Sequence, residues 1–189
     1  NVARDMMRCV RTLYNIQIEP YHLHVDVPRG DGARTERITV PVLPPHELFA
    51  STYAAGWDRF AKTYLGPKGV AGLCEFWRRS ASEEWVLRHP ALASGCERVV
   101  PSIWHCDGVE VYAVSEYYVW SFRSALSEGV SWDIKQFTCC MPHHEVADKS
   151  VRQKVEAEIL RFVAWSLNGR DRVWALLAPF TESSSKTAR

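Results

Sequence analysis

Strand-forming sequence in this chain is confined to two blocks, and that segregation constrains the fold more than any other feature. The larger block, 99–141, is rich in β-branched and aromatic residues. Its runs at 99–105, 109–114, 117–125 and 132–141 are punctuated by Gly108, Gly129 and Pro142. Short apolar runs between turn residues read as three or four antiparallel strands. The flanking segments follow a helical period instead. Strands grouped together and helices grouped together predict an α+β architecture, not an alternating parallel sheet.

The smaller block predicts a separate N-terminal β-hairpin. Tyr21-His22-Leu23-His24-Val25-Asp26-Val27 alternates at period two, as does Arg37-Ile38-Thr39-Val40-Pro41-Val42-Leu43. Arg29-Gly30-Asp31-Gly32 between them supplies the turn. Pro28 and Pro41 suit strands at an edge, where a missing N–H is tolerated.

Helices account for the rest. Leu43-Pro44-Pro45-His46-Glu47 opens a helix over 45–65, since proline fits the first turn and a carboxylate suits its positive end. Phe49, Tyr53, Trp57, Phe60 and Tyr64 recur at helical spacing and predict one buried aromatic face, ended by Gly66-Pro67. A shorter helix covers 70–79, and another turn or two begins at Ser82 and stops at His89-Pro90. The clearest late helix is 148–168, with Asp148 as N-cap and Gly169 as the stop. Val151, Val155, Ile159, Phe162, Val163 and Leu167 mark its buried face. An amphipathic stretch at 2–14 and a short apolar run at 172–180 complete the chain. The organisation expected is a helix-and-hairpin arm over 1–44, an α+β domain over 45–180 and a polar tail over 181–189.

Composition supports a packed core. Of 189 residues, 47% are hydrophobic, with 8 Trp, 7 Tyr and 7 Phe, which excludes a disordered chain. Lys+Arg 23 against Asp+Glu 22 leaves a net charge of +1, so nothing in the overall charge calls for a polyanion. No run is long and apolar enough for a membrane helix. No signal peptide is legible, so an intracellular setting is expected. The chain opens on Asn1 and reads as a fragment or accessory part of something larger. Six cysteines, at 9, 74, 96, 106, 139 and 140, form no CxxC and read as small buried thiols. Neither structural zinc nor any other cofactor is expected, because no paired ligand spacing is present.

A few positions could carry chemistry. Asp107 ends an apolar run, where a metal-dependent phosphoryl-transfer enzyme places a Mg²⁺ carboxylate; an Asp107-Gly108 turn between strands is the plainer reading. His22 and His24 share a strand face and are the candidate metal pair, although polar residues on a solvated edge look the same. His143-His144-Glu145 lacks the HExxH spacing of a zinc protease. Cys106 with His105, or Cys139 with His143, could form a nucleophile pair, but neighbours on a strand point apart. Gly66-Pro67-Lys68-Gly69 could hold an anion on backbone N–H groups, or simply punctuate two helices.

Several of these pieces recur together. Leu43-Pro44-Pro45-His46-Glu47 is followed by Phe76-Trp77 and His89-Pro90. An apolar strand then enters His105-Cys106-Asp107-Gly108-Val109, and Trp120-Ser121-Phe122-Arg123-Ser124-Ala125-Leu126 closes the stretch. This stretch, 43–126, resembles a large family of uncharacterised open reading frames expanded in alveolate algae, which look like remnants of mobile elements. The family usually has Gly where Cys106 stands, and a second Trp near Phe122. The resemblance implies a strand–Asp–strand–strand–helix order similar to the opening of an RNase H-like transposase core. Asp107 would then be the first metal carboxylate, the strands of 99–141 and the helix of 148–168 would follow, and a fourth strand would lie at 173–178. That fourth run, Val173-Trp174-Ala175-Leu176-Leu177-Ala178, has no carboxylate.

The function expected is a non-catalytic structural or protein-interaction domain, a fragment or accessory subunit of a larger assembly whose partners are other protein chains. The alternative is a degenerate RNase H-like domain of transposase or integrase type, with Asp107 as its only retained metal carboxylate. Nucleic acid would be a partner only under that alternative.

Overall fold

The computed structural model describes residues 18–29, 34–89, 95–110, 116–130 and 134–168, the backbone of 175–177, and Arg8 and Leu92. The stretch 2–14, the hairpin tip, the Gly169 stop and the 181–189 tail lie outside the described residues, Arg8 excepted. The architecture is α+β, with helices packed on antiparallel strands.

The hairpin forms as its alternation predicts. β1 (Tyr21–Arg29) and β2 (Arg34–Val42) pair antiparallel, with Tyr21 opposite Val42 and Arg29 opposite Arg34. Val25, Val27, Ile38, Val40 and Val42 turn to one side and are buried. On the other side, the Arg37 guanidinium grips Asp26 through two hydrogen bonds of 2.8 and 3.1 Å. The hairpin is a sheet of its own, yet its valines share one core with Ile159 and Phe162 of the last long helix. Leu43 N–H donates to Thr138 O at 2.8 Å and ties the hairpin's exit to the main sheet.

The helix predicted over 45–65 is broken. α1 (Pro45–Ala54) ends before Gly56, whose φ of 120° only glycine adopts readily. α2 (Trp57–Phe60) runs into a wider π turn, Ala61–Leu65, where Gly66 N–H reaches back five residues to Ala61 O. Break and widened turn shift the helical phase. Phe49 and Tyr64 therefore stack in the core, centroids 4.2 Å apart, while Tyr53 and Trp57 come out 61% and 54% exposed. The expectation that all five rings are buried is corrected accordingly.

The Gly66-Pro67-Lys68-Gly69 stretch separates the π turn from the next helix. Gly66 has φ 67°, and a Cβ there would collide with Leu126 O. Lys68 Nζ is taken by Glu75 at 3.1 Å. α3 (Gly69–Arg79) then packs Leu73 and Trp77 with Leu65, Val86 and Val99 in a second, smaller core. α4 (Glu84–Leu87) adds one turn to it.

The main sheet holds β3 (Val100–Glu110), β4 (Glu116–Ser124) and β5 (Gln136–Pro142) as an antiparallel meander. The predicted break at Asp107-Gly108 does not occur. Asp107 pairs with Val119 and Gly108 with Tyr118, so the runs 99–105 and 109–114 belong to one strand as far as Glu110. Pairing with the long aromatic run of β4 overrides the local turn signal. α5 (Lys149–Asn168) follows, and β6 (Ala175–Leu177) lies parallel to the start of β3, giving the order β5-β4-β3-β6.

α5 matches its sequence reading closely. Asp148 Oδ1 accepts from the N–H groups of Ser150 at 2.7 Å and Val151 at 3.2 Å. Those bonds hold the Asp148 carboxyl below the usual range, with the Ser150 hydroxyl contributing most. All six residues assigned to its inner face are buried.

A bulge interrupts the β4–β5 ladder: Trp120 faces Cys139 and Ser121 faces Phe137, so Thr138 is the extra residue. Its side chain is fully buried and its hydroxyl has no hydrogen-bond partner among the described residues. A buried hydroxyl without a partner costs desolvation with no return. Thr138→Val should therefore raise stability by about 1 kcal/mol, read from the urea midpoint. A lower midpoint would mean that the hydroxyl is satisfied after all.

Candidate functional site

The exposed rings flank α1. At its start, Tyr21 of β1 stacks on Phe162 at 4.7 Å, and Trp165, 60% exposed, lies 5.5 Å from Phe162. His46 meets Trp165 edge-on at 6.2 Å. The buried Ser166 hydroxyl fixes that histidine, 2.8 Å from Nδ1, and also accepts the His46 backbone N–H at 3.3 Å. At the other end, Tyr53 packs edge-on against Phe60 at 5.4 Å and Trp57 stacks on it at 5.9 Å. Phe60 in turn touches buried Tyr64 at 5.0 Å. His46 and Tyr53 stand two turns, about 10 Å, apart on α1, which places one ring cluster at each end of that helix. Tyr21 and Trp165 rest on buried Phe162, and Tyr53 and Trp57 on half-buried Phe60, so each exposed ring has less rotamer freedom for a partner to remove.

Asp107 lies inside β3, and its carboxylate is 68% exposed, on the sheet face away from α5. His105 shares that face, with Nε2 3.6 Å from the Asp107 carboxylate. Next to them a groove of about 440 Å³ is lined by Ile103, His105, Ser121, Arg123 and Lys135. Glu110 and Glu116 face each other across the β3–β4 register, but their position in the alternation places them on the opposite side of the sheet from Asp107. Among the described residues, Asp107 joins no cluster of three metal-capable side chains.

The α5 side of the sheet carries a second polar group. Arg152 donates to Tyr118 Oη at 2.7 Å and its guanidinium sits 5.4 Å from that ring's centre. His143 lies 5.4 Å from the Tyr118 ring and 3.8 Å from Glu116. Burial pushes the nearby Cys106 thiol up to about 12, with the Glu156 charge adding to it. Burial also raises Cys140 to about 11, and Cys139 lies well above its ordinary value for the same reason. None of these three thiols is activated as a nucleophile at neutral pH. Neither the Cys106–His105 nor the Cys139–His143 pairing has an activated thiol, and adjacent residues on β3 point apart.

His22 and His24 do share an exposed hairpin face. His24 Nδ1 lies 3.0 Å from Thr39 Oγ1, and no third donor joins them among the described residues. The side chains that do converge are Cys74 of α3 with Cys96 and Glu97 of the turn before β3. Their spacing in sequence hides them, and only the packing of α3 brings them together. The exposed rings were equally hidden, because helical spacing alone assigns Tyr53 and Trp57 to the core. The usable signal was Gly56, a helix breaker in mid-pattern.

Comparison of the chain with protein-family models, with curated proteins and with solved structures finds no match.

Proposed function

We propose that this is a non-catalytic protein-interaction domain, an accessory part of a larger assembly, that meets other protein chains through the rings flanking α1. The observation that carries this reading is the exposure of Tyr21, Tyr53, Trp57 and Trp165 while each packs against a buried or half-buried ring. Rigid, half-exposed Tyr and Trp are the side chains that dominate protein contacts. A net charge of +1 gives little counterion release, the term that drives non-specific binding to a phosphate backbone. A photo-reactive side chain placed at 57 or 165 should cross-link to another protein chain in the native extract, and one at His24 should not. Equal yields from all three positions would remove the support for this surface.

One observation favours the second reading. The order β5-β4-β3-β6, with β6 parallel to β3 and α5 between β5 and β6, supports a degenerate RNase H-like domain. Its resemblance to the mobile-element-like family belongs to the same reading. Under it Asp107 would bind metal, yet a two-metal site needs several convergent oxygens. Under the interaction reading, the chain with Mg²⁺ or Mn²⁺ leaves labelled DNA, RNA and hybrid uncut. Asp107→Asn then changes stability by less than about 0.5 kcal/mol, as expected for an exposed residue. Metal-dependent cleavage lost in Asp107→Asn would establish the alternative.

A further inference from the structure

Two thiols and a carboxylate from separate elements meet at one edge of the smaller core. Cys74 stands on α3, and Cys96 and Glu97 on the short turn Cys96–Arg98 that leads into β3. The turn is held in place independently of them. Trp77 Nε1 donates to Val99 O at 2.7 Å, and Val99 is buried with Leu73 and Trp77. The two Sγ atoms and a Glu97 carboxylate oxygen all lie within 4.8 Å of one another. Around a tetrahedral zinc, with Zn–S of about 2.3 Å and Zn–O of about 2.0–2.2 Å, such donors would be roughly 3.5–3.8 Å apart. The triangle is within a small side-chain adjustment of that size. Both cysteines are half-buried and Glu97 is exposed, so a hydrated ion can reach the group.

Two further features fit a cation. The Glu97 carboxylate occupies the space above Gly95 where any Cβ would collide with both its oxygens. Two thiolates and a carboxylate carry three negative charges. A divalent ion neutralises two, and Arg98, with Nε 3.7 Å from Glu97 Oε1, supplies the third.

We propose that Cys74, Cys96 and Glu97 form a binding site for one divalent cation of the zinc class, which pins α3 to the start of β3. Thiolate donors select zinc and its soft neighbours over Mg²⁺ or Ca²⁺, which take oxygen. Three protein donors leave a fourth position for water.

The test uses the full chain, reduced and stripped with a chelator, then titrated with Co²⁺ as a spectroscopic probe and with Zn²⁺ in competition. One equivalent of Co²⁺ should give tetrahedral d–d bands with thiolate charge transfer, and Zn²⁺ should bleach them. Zn²⁺ should also raise the melting temperature. Cys74→Ser and Cys96→Ser should each weaken binding by more than about tenfold, and exposed Glu97→Gln by about tenfold. A His22→Ala/His24→Ala double variant should bind as the parent does. Absence of a stoichiometric thiolate–cobalt spectrum would overturn the site. So would binding unchanged by Cys74→Ser and Glu97→Gln, or recovery of Cys74 and Cys96 as a disulfide under a cytosolic glutathione poise.

Discussion

Replacing Phe122 with alanine should remove about 3–5 kcal/mol of folding stability. The residue sits on β4, the strand paired on both sides in the meander, and is 1% exposed. Its ring stacks on Trp104 at 4.9 Å and lies 5.6 Å from Phe49, which joins the sheet to α1. Truncation would open a cavity between two stiff elements, with rings around it that cannot collapse inward. A loss of that size is a large share of an ordinary domain's total stability. Phe122→Leu, which keeps most of the volume, should cost less and stay measurable. Phe60→Ala should also cost less than Phe122→Ala, because that ring is only half-buried although it touches both cores. Urea denaturation of the three variants checks the order. Phe122→Ala behaving like the parent chain would show that the sheet and α1 do not pack as described.

Trp165→Ala should do the reverse, leaving the fold intact and weakening attachment to a protein partner by about 30-fold or more. Its indole is mostly in water, so little of the apolar burial that stabilises the chain is lost with it. In a complex the same ring would be desolvated next to Tyr21 and His46, and truncating a central Trp of that kind costs at least about 2 kcal/mol of binding. Trp57→Ala should behave alike, since Trp57 stacks on Phe60 at 5.9 Å and needs no reordering to be covered. Calorimetric titration of each variant against the partner captured by cross-linking measures the loss, and melting curves confirm that the fold survives. A melting temperature that collapses in Trp165→Ala would reassign the ring to the core.

The architecture was largely legible in the residues. Alternation in 21–27 and 37–43 determines which hairpin side is buried, because a one-residue slip would expose every valine. The inner face of α5 follows from an uninterrupted helical repeat with a cap at Asp148. Legibility failed where a local signal competed with tertiary pairing. Asp107-Gly108 has the composition of a turn, yet nine consecutive β3–β4 pairs run straight through it. Gly56 was the opposite failure, a real break inside a pattern that otherwise reads as continuous helix. The ring surface depends on that break, so it could not be read from spacing. The Cys74, Cys96 and Glu97 group depends on how α3 docks, which no sequence motif encodes.

The central claim is that the rings flanking α1 are a contact surface, and radical footprinting read by mass spectrometry tests it most directly. The chain would be labelled once alone and once in its native assembly. Labelling of Trp57, Tyr53, Trp165 and Tyr21 should fall severalfold in the assembly, while His24 and Arg37 on the outer hairpin face stay equally labelled in both. Unchanged labelling of Trp57 and Trp165 in the assembled state would contradict the account.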